Sequence, residues 1–79
     1  MRARVIVTLK EGVLDPQGKA IEGALRSLSM DGVTSVRQGK VFDIEFDGAD
    51  RERAQEALAA ACERLLANTI VENYVIEIA

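Results

Sequence analysis

Seventy-nine residues, 48% of them hydrophobic and 29% charged, with a net charge of −3, suffice for one domain over residues 1–79 whose modest core hides only about 60% of the unfolded surface. The acidic balance argues against a phosphate-tracking nucleic-acid surface, which needs clustered Lys and Arg, and no apolar run approaches the roughly 20 residues of a membrane span. Histidine is absent, which removes Ser-His-Asp and Cys-His nucleophile pairs and nearly every catalytic zinc site. Catalysis by this chain alone is therefore not expected, and the residues call for no cofactor or metal. Met1 leads directly into a strand pattern without a basic, apolar leader, and the single Cys62 can form no internal disulfide. Both fit a reducing cytoplasm.

In chain order, Ala3, Val5, Val7 and Leu9 alternate with Arg4, Ile6, Thr8 and Lys10, the period of two of a half-buried strand whose first set faces the core. The stretch 12–18 follows as a turn and helix start. Asp15 is placed to cap and Pro16 to occupy the first helical position, while Val13 and Leu14 have no local role and must fold onto the core or meet a partner. Ala20, Ile21, Ala24, Leu25 and Leu28 then recur at helical spacing, with Asp31-Gly32 as the expected stop. Residues 33–38 and 41–46 read as two strands of a hairpin around Gln38-Gly39-Lys40, with Phe42, Ile44 and Phe46 inward. Asp47 or Asp50 caps a second helix over residues 51–66, striped by Ala54, Ala57, Leu58, Ala61, Cys62 and Leu65. Asn68 suits its end. Residues 70–78 form a last strand with Tyr74, Ile76 and Ile78 on one face and Val71, Asn73 and Val75 on the other.

The order is β-α-β-β-α-β, an α+β fold of the ferredoxin-like split βαβ plan: an antiparallel sheet with two helices on one face. Its other face would carry Arg4, Ile6, Thr8, Arg37, Asp43 and Glu45, with Val71 and Val75 nearby. That mixture is apolar enough at one edge to predict self-association through the face or the strand edges.

Candidate sites are few. Gly12 and Gly18 flank a helix N-terminus, a setting that can bind anions, but their spacing matches neither the dinucleotide fingerprint nor a P-loop; a shaped turn explains them better. Arg37, Gly39 and Lys40 set two cations around a hairpin turn that could hold a carboxylate or phosphate, although solvated charges are the commoner case. Cys62 lies on an apolar stripe with no histidine to activate it, and is read as core. Asp43 and Glu45 share a strand face without the surroundings acid–base chemistry requires. Asn68, Thr69, Glu72 and Asn73 form a polar cluster that capping explains only at Asn68. Among ferredoxin-like domains, the first loop lacks the Cys-x-x-Cys of metal carriers and the arginine of acylphosphatases, and the central strands lack the aromatic pair of RNA binders. A binding or assembly module survives.

Three motifs in order, Lys10-Glu11-Gly12-Val13-Leu14-Asp15-Pro16-Gln17-Gly18-Lys19-Ala20-Ile21, Val36-Arg37-Gln38-Gly39-Lys40 and Cys62-Glu63-Arg64-Leu65-Leu66-Ala67-Asn68-Thr69-Ile70-Val71-Glu72, closely resemble the PurS family. Its members are small subunits of formylglycinamide ribonucleotide amidotransferase, also called phosphoribosylformylglycinamidine synthase. The similarity spans nearly the whole chain, with one departure, Met30 where a glycine is expected. The resemblance implies a part in de novo purine synthesis, beside a glutaminase subunit that releases ammonia and a synthetase subunit that uses ATP to activate the formylglycinamide oxygen. It implies that this chain joins the two and assists ammonia transfer without catalysing, and that it forms homodimers able to pair into tetramers. Contact roles carry over to Gly12, Val13, Leu14, Asp15, Pro16, Gln17, Gly18, Arg37, Gly39, Lys40, Asn68, Thr69 and Glu72. The other reading is a free-standing dimeric regulatory domain that senses an amino acid or nucleotide at the first loop.

Overall fold

In the computed structural model, which describes all 79 residues, the first strand is also the central one. Strand β1 (Arg2–Leu9) is flanked by β2 (Gly39–Glu45) and β3 (Glu72–Ile78), both antiparallel to it. Val5 stands opposite Phe42 on one side and Ile76 on the other, and Val7 opposite Tyr74. The apolar sets that alternation assigns to one face therefore meet in register. Val5 and Val7 are fully buried with Cys62 and Ala67, and Phe42, Ile44, Leu66, Tyr74 and Ile76 pack around them. On the opposite face Arg2 pairs with Glu45 and Arg4 with Asp43, each at 2.9 Å. These pairs are exposed and worth little stability.

Helix α1 (Pro16–Ser27) begins as expected, with Asp15 at the cap and Pro16 in the first turn. It stops earlier than Asp31-Gly32 suggested. Ser29 adopts a left-handed φ of 66°, the Ser29 N–H donates to Arg26 O at 3.0 Å and the Met30 N–H to Leu25 O at 3.2 Å, a Schellman end with serine in the usual glycine position. Asp50 caps α2 (Arg51–Ala61), accepting from the Glu52 and Arg53 N–H groups. The helix then widens into a π turn, Cys62–Leu66, closed by the Ala67 N–H on Cys62 O at 3.0 Å. One additional residue in the turn rotates the later side chains by about 100°. Leu65, expected on the buried stripe, is consequently 82% exposed, and Leu66 faces the core instead.

The layout follows the expected split βαβ plan of an antiparallel sheet with two helices, with three of its strands formed in the order β1-α1-β2-α2-β3. Residues 33–38, read as a hairpin strand, join no ladder. Their donors are taken by side chains on the other side: the Val36 N–H donates to Glu22 Oε1 at 3.2 Å and the Gln38 N–H to Asp15 Oδ2 at 2.7 Å. Side-chain acceptors from Glu22 and Asp15 thus replace strand pairing, and Gly39 becomes the entry to β2 rather than a hairpin turn. The final strand begins at Glu72, because Ile70 and Val71 belong to the turn before it.

The stripe of α1 is the other difference. Ala20, Ile21, Ala24 and Leu28 are exposed, whereas Gly18 and Glu22 are buried. The helix and residues 33–38 run together as an arm instead of covering the sheet. The molecule measures 48 × 25 × 14 Å with a radius of gyration of 15.8 Å, against about 12 Å for a compact chain of this length. No helix is long and apolar enough to cross a membrane.

Candidate functional site

Asp15 is the joint between the first loop and the arm. One carboxylate oxygen accepts from the Gly18 N–H at 2.9 Å, capping α1, and the other accepts from Gln38 N. The hydrogen bonds from Gln38 and Gly18, helped by the nearby Arg37 charge, hold the carboxyl below the usual carboxylate range. Gly18 is needed for this closure: a Cβ there would collide with the Asp15 carboxylate and lie 2.6 Å from Val36 O. Gly12 turns the preceding loop with a φ of +85°. Val13 is half-buried, its N–H donating to Lys10 O at 3.2 Å, while Leu14 projects with 70% of its surface exposed.

The second motif meets the first at the same end of the sheet. The Arg37 guanidinium donates to Leu9 O at 3.2 Å and Lys10 O at 3.0 Å, so it clamps the end of β1. Gly39 lies opposite Thr8, where a Cβ would stand 2.5 Å from Val7 O. Lys40 Nζ reaches Glu72 Oε2 at 3.5 Å, which brings in the third motif. Glu72 Oε1 accepts from the Asn68 N–H at 2.6 Å, Asn68 Oδ1 accepts from the Ile70 N–H at 3.2 Å, and Lys10 N donates to Val71 O at 2.9 Å. Asn68 and Glu72 therefore build a turn that presents Ile70, 84% exposed, beside a half-buried Thr69.

The three motifs, far apart in sequence, thus converge on one end of the sheet. Asp15, Gly18, Arg37, Gly39, Asn68 and Glu72 build the scaffold. Leu14 and Ile70 are its projecting apolar side chains; Pro16 and Gln17 are exposed in the first turn of α1. Sequence reasoning missed Glu22, placed on a polar face yet buried, where it binds Val36 N and pairs with Lys19 at 3.6 Å and Arg26 at 3.5 Å. Its flanking cations at i−3 and i+4 were the available signal.

No nucleophile–base pair is assembled at this end. Cys62 is buried in the core, and burial raises its thiol pKa. The Tyr74 hydroxyl donates to Glu63 Oε1 at 3.1 Å, which raises the phenol pKa. A set of turns closed by their own side-chain hydrogen bonds and bearing exposed aliphatic side chains is suited to recognising another protein surface.

Comparison with known proteins agrees with the motifs. The family model described as PurS, phosphoribosylformylglycinamidine (FGAM) synthase, matches residues 2–79. The phosphoribosylformylglycinamidine synthase subunit PurS of Synechocystis is 44% identical over 75 residues, 95% of this chain and 75% of that one. The crystal structure of Methanocaldococcus jannaschii PurS, described as one of the subunits of formylglycinamide ribonucleotide amidotransferase, superposes with a TM-score of 0.86 at 37% identity, covering 96% of this chain and 92% of its own. A chain of the PurLQS structure from Thermotoga maritima gives a TM-score of 0.87 at 34% identity, covering 96% and 93%. Fold, motif order and sequence identity agree over almost the full length, and the chain belongs to the PurS family.

Proposed function

We propose that this chain is the small, non-catalytic assembly subunit of phosphoribosylformylglycinamidine synthase, the ATP- and glutamine-dependent enzyme that converts formylglycinamide ribonucleotide to formylglycinamidine ribonucleotide. Membership of the PurS family carries this reading. In it, the loop end built by residues 12–18, 37–40 and 68–72 joins a glutaminase subunit to a synthetase subunit in the cytoplasm, and the chain acts as a homodimer able to pair into a tetramer. Joining two active sites suits the chemistry: ammonia released into water is protonated and diluted, so an enclosed passage maintains its effective concentration. Such a task needs shape and contact surface, and a chain without histidine can supply both.

The test is reconstitution. Glutaminase and synthetase subunits are mixed with and without this chain, and glutamine-dependent product is measured. A marked rise on addition is expected, while free ammonia as nitrogen donor should support product formation without the chain. Equal glutamine-dependent rates with and without it would overturn the proposal.

A further inference from the structure

The turn between α2 and β3 spends its donors on itself. The Val71 and Glu72 N–H groups both donate to Asn68 O, at 3.0 and 2.7 Å, and the Ile70 N–H donates to Asn68 Oδ1 at 3.2 Å. The Asn68 N–H is taken in turn by Glu72 Oε1 at 2.6 Å. Lys10 N donates to Val71 O at 2.9 Å and ties the turn to the end of β1. What this closed turn holds outward is Ile70, 84% exposed, at the end of the sheet that also presents Leu14.

Glu72 differs from the other residues of its motif. Its side chain is only 15% exposed, and both carboxylate oxygens are engaged inside the chain, Oε1 with Asn68 and Oε2 with Lys40 Nζ at 3.5 Å. Lys40 stands opposite Val7 on β2 and Glu72 opposite Leu9 on β3, so the pair bridges the outer strands across β1. That ion pair is partly in water and worth little alone. The short bond to Asn68, with a charged acceptor, is the stronger of the two. A carboxylate so occupied has little to offer another surface. It fixes the turn that bears Ile70, and a turn fixed before contact lowers the ordering cost of association.

We infer that Glu72 is a positioning residue: through Asn68 it holds Ile70 in the conformation that another subunit of the amidotransferase receives, without touching that subunit itself. This rests on the docking role proposed for this end of the sheet, and it separates the residue that meets the partner from the one that sets it. What Glu72 supplies is an acceptor oxygen at the right reach. Glutamine carries the same oxygen at the same reach; aspartate keeps the charge but falls one methylene short.

Titration of the full-length chain into the glutaminase and synthetase subunits tests this, reading the half-saturating amount and the plateau rate of glutamine-dependent synthesis. Ile70→Ser is expected to raise the half-saturating amount roughly tenfold with the plateau kept, and Glu72→Ala to raise it roughly fivefold. Glu72→Asp should follow Glu72→Ala, whereas Glu72→Gln should stay close to wild type. A chain carrying both Glu72→Ala and Ile70→Ser should be no worse than Ile70→Ser, because Glu72 acts through Ile70; independent contacts would multiply to roughly fiftyfold. Hydrogen exchange on the isolated chain reads the hold directly. The Asn68 amide should be protected in wild type and Glu72→Gln and lose protection in Glu72→Ala and Glu72→Asp, with the β1 amides unchanged as the sign of an intact sheet. Multiplied effects in the double variant, wild-type behaviour of Glu72→Asp, or equal Asn68 protection in every variant overturns the positioning role and leaves the assembly-subunit reading standing. A wild-type chain that does not raise the glutamine-dependent rate overturns that reading, and the docking claim with it.

Discussion

Asp15 holds two backbone donors with one carboxylate, and its depressed pKa makes that bridge depend on pH. The folded chain binds fewer protons here than the unfolded one, so the contribution is complete above the ordinary carboxylate pKa of about 4 and is lost as pH falls through the lower folded value. Asp15→Asn is accordingly expected to lower the urea midpoint at pH 7, with the gap from wild type narrowing on acidification below about pH 4. An equal gap at pH 7 and pH 3 would assign the loss to shape rather than charge. Asp15→Ala removes cap and bridge together and should lower Tm by roughly 4–8 °C. Ser29 offers the opposite change. It is an exposed residue in a left-handed conformation at the helix end, so Ser29→Gly should raise stability by about 0.5–1 kcal/mol in the same urea titration.

At the scale of elements, the π turn decides which leucine is buried. Leu66→Ala is expected to cost about 1–3 kcal/mol, whereas Leu65→Ala should remain within about 0.5 kcal/mol of wild type in chemical denaturation. A regular helix through residue 66 would reverse that ranking. The turn could not be read from sequence, since nothing in Cys62-Glu63-Arg64-Leu65-Leu66 distinguishes i→i+4 from i→i+5 bonding, and one inserted residue changes every later side chain. The strands were legible because Val5, Phe42 and Ile76 each sit in a strict alternation, and a period of two tolerates few alternatives. The caps at Asp15 and Asp50 were legible for a similarly local reason. Residues 33–38 failed because their strand pattern competed with two carboxylates more than a dozen positions upstream, a long-range pairing that no local period encodes. The candidate site was legible as three motifs, but their convergence depends on which strands neighbour β1.

For the whole molecule, the separation between scaffold and projecting side chains can be tested directly. Leu14 is exposed and touches no core cluster. Leu14→Ser should leave the isolated fold within about 0.5 kcal/mol of wild type, while raising roughly tenfold the amount of chain needed to restore glutamine-dependent synthesis. Unfolding of the isolated variant would place Leu14 in the core and remove it from the docking surface. Sheet order has a further consequence for the way the chain is made. Strand β1 pairs along both edges, Thr8 with Gly39 and Leu9 with Glu72, so a strand that is synthesised before both of its neighbours has one of them absent until β3 has emerged. Its contacts are almost all distant in sequence, a topology that slows folding and prolongs exposure of unpaired apolar edges. A nascent chain stalled before β3 should therefore retain a sticky Val5–Val7 segment and recruit chaperones, and release of the final strand should be the step that ends that recruitment.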